Sequence, residues 1–220
     1  MRRFLSLALM FLVGCLACAP LTMPPEQLSH PSVGSTDPMN VTVALVSDED
    51  VTYCAGTWIA PDRILTASHC VLDDDSDEVQ AVKVVHIRDY DGVKSDATVK
   101  KLDLDKDLAL LQTTRKHAFA PLARVWFKGE TLTIVGHPSH AEWAFMRGWI
   151  SLWKKHKSPE SDNEMGMLQV QAPIYYGNSG GGAFDESGAL VGVCSMRSTQ
   201  IPDLGLFVAP EEISAFLLTK

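Results

Sequence analysis

Tyr175-Tyr176-Gly177-Asn178-Ser179-Gly180-Gly181-Gly182-Ala183-Phe184 sets one serine among four glycines, between two runs that read as strands. A glycine just before a serine opens backbone conformations closed to other residues, and the glycines after it let another chain approach the main chain closely. Ser179 is therefore a candidate nucleophile. A serine hydroxyl is a weak nucleophile at neutral pH and needs a base within hydrogen-bond reach, with a third group to orient that base. Segments upstream offer both: His69 in Leu65-Thr66-Ala67-Ser68-His69-Cys70, and Asp107 in Asp105-Lys106-Asp107-Leu108-Ala109-Leu110-Leu111. Asp103, Asp105 and Asp107 alternate, a spacing that would set all three on one strand face.

The order His, Asp, Ser is the one used by chymotrypsin-type proteases, whereas other triad folds use other orders. Three further stretches lie in sequence with these segments: Cys54-Ala55-Gly56-Thr57-Trp58-Ile59, Thr133-Ile134-Val135-Gly136-His137-Pro138 and Gly205-Leu206-Phe207-Val208-Ala209-Pro210. Together they make residues from about Val41 to Pro210 resemble a trypsin-like serine protease of the bacterial HtrA-type branch. The resemblance implies that His69 is the general base and Ser179 the nucleophile. It also implies that Asp107, picked out by the Leu-Ala-Leu-Leu run after it, orients the histidine. The backbone N–H groups of Gly177 and Ser179 would form the oxyanion hole. Cys54 and Cys70 bracket two strands joined at Ala60-Pro61-Asp62, and the family pattern implies a disulfide between them beside the histidine.

Carried over by position, the specificity pocket lies between Ile174-Tyr175-Tyr176 and Ser195-Met196-Arg197. Ala172, Pro173 and Ile174 stand where trypsins keep an aspartate, and no histidine lies between Val191 and Pro210. The expected pocket is apolar, suited to small or medium apolar side chains rather than Lys, Arg or Glu. Arg197 is placed to block or cap it. The residue before the nucleophile is Asn178, where zymogens keep an aspartate that pairs with a newly cut amino terminus. Neutral hydrogen bonds are expected to hold Asn178 instead, with no activating cleavage.

Alternating and β-branched runs recur from Val41 onward, bounded by turn residues. They predict strands near 41–46, 51–60, 63–69, 79–87, 97–105 and 108–113, then 131–137, 144–153, 166–174, 181–185, 189–196 and 205–210. The fold class is all-β: two six-stranded antiparallel barrels of the chymotrypsin-like kind, about 41–120 and 121–210, within a protease domain of 41–220. Pro210 at a first helical position, acids at Glu211 and Glu212, and Ile213, Phe216 and Leu217 on one face predict a short helix over 211–219. The protease domain is expected to carry no PDZ domain.

Met1-Arg2-Arg3 and the apolar run Phe4 to Gly14 read as a signal peptide too short to span a bilayer. Leu12-Val13-Gly14-Cys15 resembles a lipoprotein signal, so residues 1–15 end in a lipidation site at Cys15 and 16–40 form a Pro-rich tether. Export to the bacterial cell envelope as a membrane-anchored lipoprotein is expected, with simple secretion or a periplasmic location as second choice. Of the remaining cysteines, Cys194 reads as a buried free thiol and Cys18 has no evident partner.

Among 220 residues, 46% are hydrophobic and 21% charged, a balance that fits a folded globule. With 19 basic against 27 acidic residues the net charge is −8, which argues against nucleic acid as the main partner. Protein or peptide substrates are the expected partners, an oligomer is compatible, and no cofactor or metal is called for. Asp73-Asp74-Asp75-Ser76-Asp77-Glu78 lacks a calcium-loop spacing and reads as a solvated loop. Lys154-Lys155-His156-Lys157 reads as a solvated loop rather than a lipid contact. His137 and His140 lack the further ligands a zinc site needs. The alternative class is a protease-fold binding module with little turnover, suggested by the bulky Tyr175-Tyr176 and by Arg197.

Overall fold

The structure, a computed structural model, describes residues 37–73 and 79–219. The signal segment, Cys15, Cys18, most of the tether and the acidic run 74–78 lie outside the described residues.

The first element among the described residues is a one-turn helix, α1 (Pro38–Val41), where the sequence predicted the end of an extended tether. Asp37 accepts a hydrogen bond from the Met39 N–H at 3.0 Å, and Pro38 supplies a pre-set first helical residue, so the turn is capped and started locally.

Strands β1 (Thr42–Val46), β2 (Thr52–Ala60), β3 (Arg63–Thr66), β4 (Val85–Asp89), β5 (Lys94–Asp103) and β6 (Leu108–Thr113) close into one barrel in the order β1-β2-β3-β6-β5-β4. Strands β7 (Thr131–Gly136), β8 (Ala144–Lys157), β9 (Glu164–Gln171), β10 (Gly182–Phe184), β11 (Leu190–Arg197) and β12 (Leu204–Val208) close into a second, β10-β11-β12-β9-β8-β7. Closure pairs every strand with two neighbours, although β10 is so short that the end of β11 beyond Val193 pairs with β12 alone.

The predicted architecture holds, with local differences. The strand expected over 79–87 begins only at Val85, because Val79 to Lys83 leave the sheet and the Val82 N–H bonds back to the Val71 carbonyl. Lys154–Lys157 extend β8 rather than forming a loop, since each pairs with β9, from Lys154 opposite Met167 to Lys157 opposite Glu164. Nor do Asp103, Asp105 and Asp107 share a strand face. β5 stops at Asp103, whose carboxylate caps the Lys106 N–H, and the chain turns through Asp107 at φ +49°.

Period-two alternation divides the core. In β9, Met165 and Met167 join the apolar cluster made by the first barrel with Phe184, Val193, Val208, Ile213 and Phe216, so that cluster continues across the barrel interface. Leu168 and Val170 on the opposite face fill the second barrel with Leu132, Ile134, Ile150 and Phe207. Helix α2 (Pro210–Leu218) buries Ile213 and Phe216, and its Glu212 bridges the barrels by pairing with Lys106 at 2.8 Å while accepting the Gly166 N–H.

Candidate active site

The first barrel contributes a histidine and an acid. After β3 the chain enters a single 3-10 turn, Ser68–Val71, which carries His69. A disulfide ties this turn to β2, Cys54 to Cys70 with Cα atoms 6.1 Å apart. It closes a loop with a sequence separation of 16, which stabilises the fold by about 3 kcal/mol on the chain-entropy account. Replacing both cysteines by alanine should lower the urea-unfolding free energy by about that amount; a loss below about 1 kcal/mol would show that packing alone holds the turn.

Asp107, fully buried at the β5–β6 turn, receives four hydrogen bonds. The His69 Nδ1 lies 2.9 Å from Oδ1 and 3.0 Å from Oδ2, and the His69 backbone N–H donates to Oδ1 at 3.2 Å. Ser68 Oγ donates to Oδ1 at 2.9 Å, and Ser195 Oγ donates to Oδ2. With both carboxylate oxygens satisfied, the charge stays buried without orphaned lone pairs. Burial opposes the imidazolium of His69, yet the hydrogen bond and charge of Asp107, with the charge of Glu160, outweigh it and hold the His69 pKa above its ordinary value.

The second barrel brings the serine loop against this pair. Gly180, at φ +78°, leaves no room for a side chain: a Cβ there would stand 2.1 Å from Thr66 Oγ1 and 2.2 Å from the Ala55 carbonyl. The Ala55 N–H in turn donates to the Ser179 carbonyl at 2.8 Å, and the Gly180 N–H to the Cys194 carbonyl at 2.7 Å. The loop is thus stitched to β2 on one side and β11 on the other. Among the described residues the Ser179 hydroxyl makes no hydrogen bond, and nucleophile–base contacts are often loose in a free site.

From Gly177 to Gly181, three amides are used within the fold: Asn178 to the Tyr175 carbonyl, Gly180 to Cys194 and Gly181 to Asn178. The N–H groups of Gly177 and Ser179 donate no hydrogen bond among the described residues. Two open backbone donors flanking Asn178 are what an oxyanion needs.

The remaining sequence-predicted residues divide. Ile174 is 6% exposed and lies on the Gly205 backbone, where a Cβ would stand 2.6 Å from its Cγ1. The Ser195 side chain turns inward to Asp107 and so does not face a pocket, a role that its place in the strand did not reveal. Tyr176 is 78% exposed, and the Arg197 guanidinium sits over its ring, 5.3 Å from the centroid, rather than inside a pocket. Met196 is half-buried against the first-barrel cluster. Cys194 is a buried free thiol whose pKa burial drives upward. Asn178 is buried, but its hold is weaker than expected, because its Nδ2 reaches only Met146 Sδ at 4.0 Å and its Oδ1 is unpartnered. His137 is fully buried with its Nδ1 accepting the Trp143 N–H at 3.1 Å, and burial pushes its pKa down to about 4.

Two six-stranded barrels, with a buried Asp–His pair from one and a glycine-flanked serine loop from the other, define the chymotrypsin-like class of folds. The trypsin-like peptidase domain family matches residues 54–193, more than half of the chain, and the protein belongs to it. The chain is 30% identical over 146 residues to the serine protease Do-like HtrA of Lactobacillus helveticus, covering 64% of this chain and 33% of that protein. It is 26% identical over 167 residues to the chloroplastic protease Do-like 2 of Arabidopsis thaliana, covering 72% of this chain and 26% of that one. It therefore spans about a third or less of the length of these relatives. Among solved structures it resembles the active form of the Rv3671c protease from M. tuberculosis, with a TM-score of 0.69 at 19% identity over 83% of this chain and 80% of the other. It also resembles the serine endoprotease from Yersinia pestis, with a TM-score of 0.64 at 22% identity over 82% and 61% of the two chains.

Proposed function

We propose that the protein is a serine endopeptidase, carried by one observation above others: an Asp107–His69 pair beside a serine loop that leaves the amides on either side of Asn178 open. Ser179 Oγ bonds to the scissile carbonyl carbon while its proton passes to His69 Nε2, and the carbonyl oxygen takes the negative charge between the Gly177 and Ser179 N–H groups. Collapse of that adduct breaks the C–N bond, and His69 returns the proton to the leaving amine. Water, deprotonated by His69, then hydrolyses the ester and frees Ser179.

Substrate is held as an added strand. Met196 and Arg197 pair with β12 on one side only, because β10 ends its pairing at Val193, and this free edge follows Ser195, whose hydroxyl bonds Asp107. Ile174, apolar and packed on the Gly205 backbone, stands where a basic P1 side chain would need an acid, which favours Ala, Val or Leu at P1 over Lys, Arg or Glu. A signal segment and a lipid on Cys15 would place this activity at the bacterial envelope. An acyl mass on a mature N-terminal Cys15 is the expected finding, and a different mature N-terminus would remove the anchor from the reading.

A fluorophosphonate probe should label the purified protein on the peptide containing Ser179, and an unbiased peptide library should be cut after small or medium apolar residues. An unlabelled protein would instead favour a non-catalytic binding module, the reading to which the unbonded Ser179 hydroxyl and the Arg197–Tyr176 stack lend support. Cleavage dominated by basic P1 residues would overturn the pocket assignment alone.

A further inference from the structure

The Gly177 amide is useful only if its peptide plane is held, and the residue beside it does little of the holding. The Asn178 side chain has no charged partner and one weak sulfur contact. The plane is fixed from another side. The Ser139 N–H donates to the Tyr176 carbonyl at 2.8 Å, and in a planar trans peptide the Gly177 N–H must then point the opposite way. The next carbonyl, of Gly177, accepts from the His137 N–H at 3.4 Å. Gly177 sits at φ +94° with its Cα face against the His137 carbonyl, where a Cβ would stand 2.1 Å away, so no other residue fits. Segment 137–143 therefore sets the orientation of the open amide.

That segment is not anchored by regular pairing of its own. Ser139 and Trp143 both have positive φ, 49° and 59°, a conformation that side-chain-bearing residues rarely keep without outside support. The support comes from the first barrel. Glu142 Oε1 accepts from Arg88 on β4 and from Thr52 on β2, and Arg88 is held in place by Asp50 at 3.0 Å and by the Thr52 hydroxyl at 3.0 Å. Arg88 is only 14% exposed in its side chain, so this contact is less screened than a free surface pair. Trp143 packs edge-on to Tyr90 of the first barrel at 5.3 Å and edge-on to His137 at 4.7 Å, which continues the contact inward.

We propose that segment 137–143, fastened to the first barrel by Glu142 on Arg88 and Thr52, is the device that keeps the Gly177 N–H pointed at the reacting oxygen, which makes Glu142 and Arg88 positioning residues for hydrolysis. The proposal rests on the serine-peptidase reading for its catalytic consequence, but its structural content stands apart. A contact between barrels here does the work that a buried ion pair next to the nucleophile does in activated zymogens. The oxyanion hole is ordered by the docking of the two barrels.

Two variants test it on the intact protein. Glu142→Ala removes the acceptor, whereas Glu142→Gln keeps an oxygen for Arg88 and Thr52. Glu142→Ala should lower kcat at least about tenfold, with KM within about twofold, because a misdirected donor is felt in the transition state more than in substrate binding. Glu142→Gln should keep at least half of the wild-type kcat. Hydrogen exchange followed by mass spectrometry supplies a readout independent of turnover: Glu142→Ala should speed exchange in 137–143 and also in 174–180, with Glu142→Gln near wild type. Faster exchange confined to 137–143, or an unchanged kcat in Glu142→Ala, overturns the proposal. If the wild type does not react with a fluorophosphonate, the peptidase reading fails by itself, and exchange in 174–180 alone then decides whether the fastening exists.

Discussion

Ser179→Ala should lower kcat by about 10⁶-fold and abolish fluorophosphonate labelling. The size follows from the division of labour in the site. Without Oγ no acyl-enzyme forms, and His69 can only activate water that nothing positions, while the open Gly177 and Ser179 amides and the β11 edge survive. Those features should leave a residual catalysis of about 10³-fold over the uncatalysed reaction. Because Ser179 is partly exposed and its main-chain bonds are kept by alanine, the variant should unfold at the same urea concentration as the wild type. A variant that keeps a tenth of the wild-type rate would mean that another group is the nucleophile.

Asp107→Asn should cost about 10⁴-fold in kcat while the protein remains folded. An amide can present its oxygen to Ser68, Ser195 and the His69 backbone, or its NH₂, but not an acceptor to every donor now converging on the carboxylate. The NH₂ facing His69 Nδ1 would force the proton onto Nε2, the nitrogen that must accept from Ser179. The pH profile gives the second readout. An opposite charge favours the charged imidazole, so Asp107 holds the His69 pKa above its usual value and the acid limb of kcat/KM should lie above about pH 6.5. Removing that charge moves the limb downward. If Asp105→Asn is the crippled variant instead, the assignment of the acid is wrong; Asp105 lies in the turn after β5, where the neighbouring Asn163 and Ser161 hold its carboxyl below the usual carboxylate range.

The strands were legible because a half-buried β-ribbon writes its pleat into the sequence, as Leu168-Gln169-Val170-Gln171 does in β9. Besides the late start of β4, three features were not. The three aspartates were misread because alternation alone does not mark where a strand stops; the stop lies in the Asp103 cap on Lys106 and the left-handed Asp107. Lys154–Lys157 read as loop because their charges mask a strand exposed on both faces, whose order comes from pairing with β9. Helix α1 was missed although Asp37-Pro38 is a start signal, since proline spacing before it suggested an extended tether. In the candidate site, His69, Asp107 and Ser179 each sit in a local motif, so the sequence alone could nominate them. Ser68, Ser195, Arg88 and Glu142 have no such motif, and what they do comes from contacts between segments far apart in sequence.

The last strands of the fold reach back to complete the first barrel's chemistry, with Ser195 of β11 closing the shell around Asp107 and Cys194 seating the loop of Ser179. A growing chain therefore exposes its histidine and acid long before it owns a usable site. While the ribosome is still adding β11, the serine loop has neither its Cys194 anchor nor its free strand edge, and the nascent polypeptide has no means of cutting its neighbours. On the peptidase reading, activity would therefore arrive late in synthesis, only after both barrels are complete.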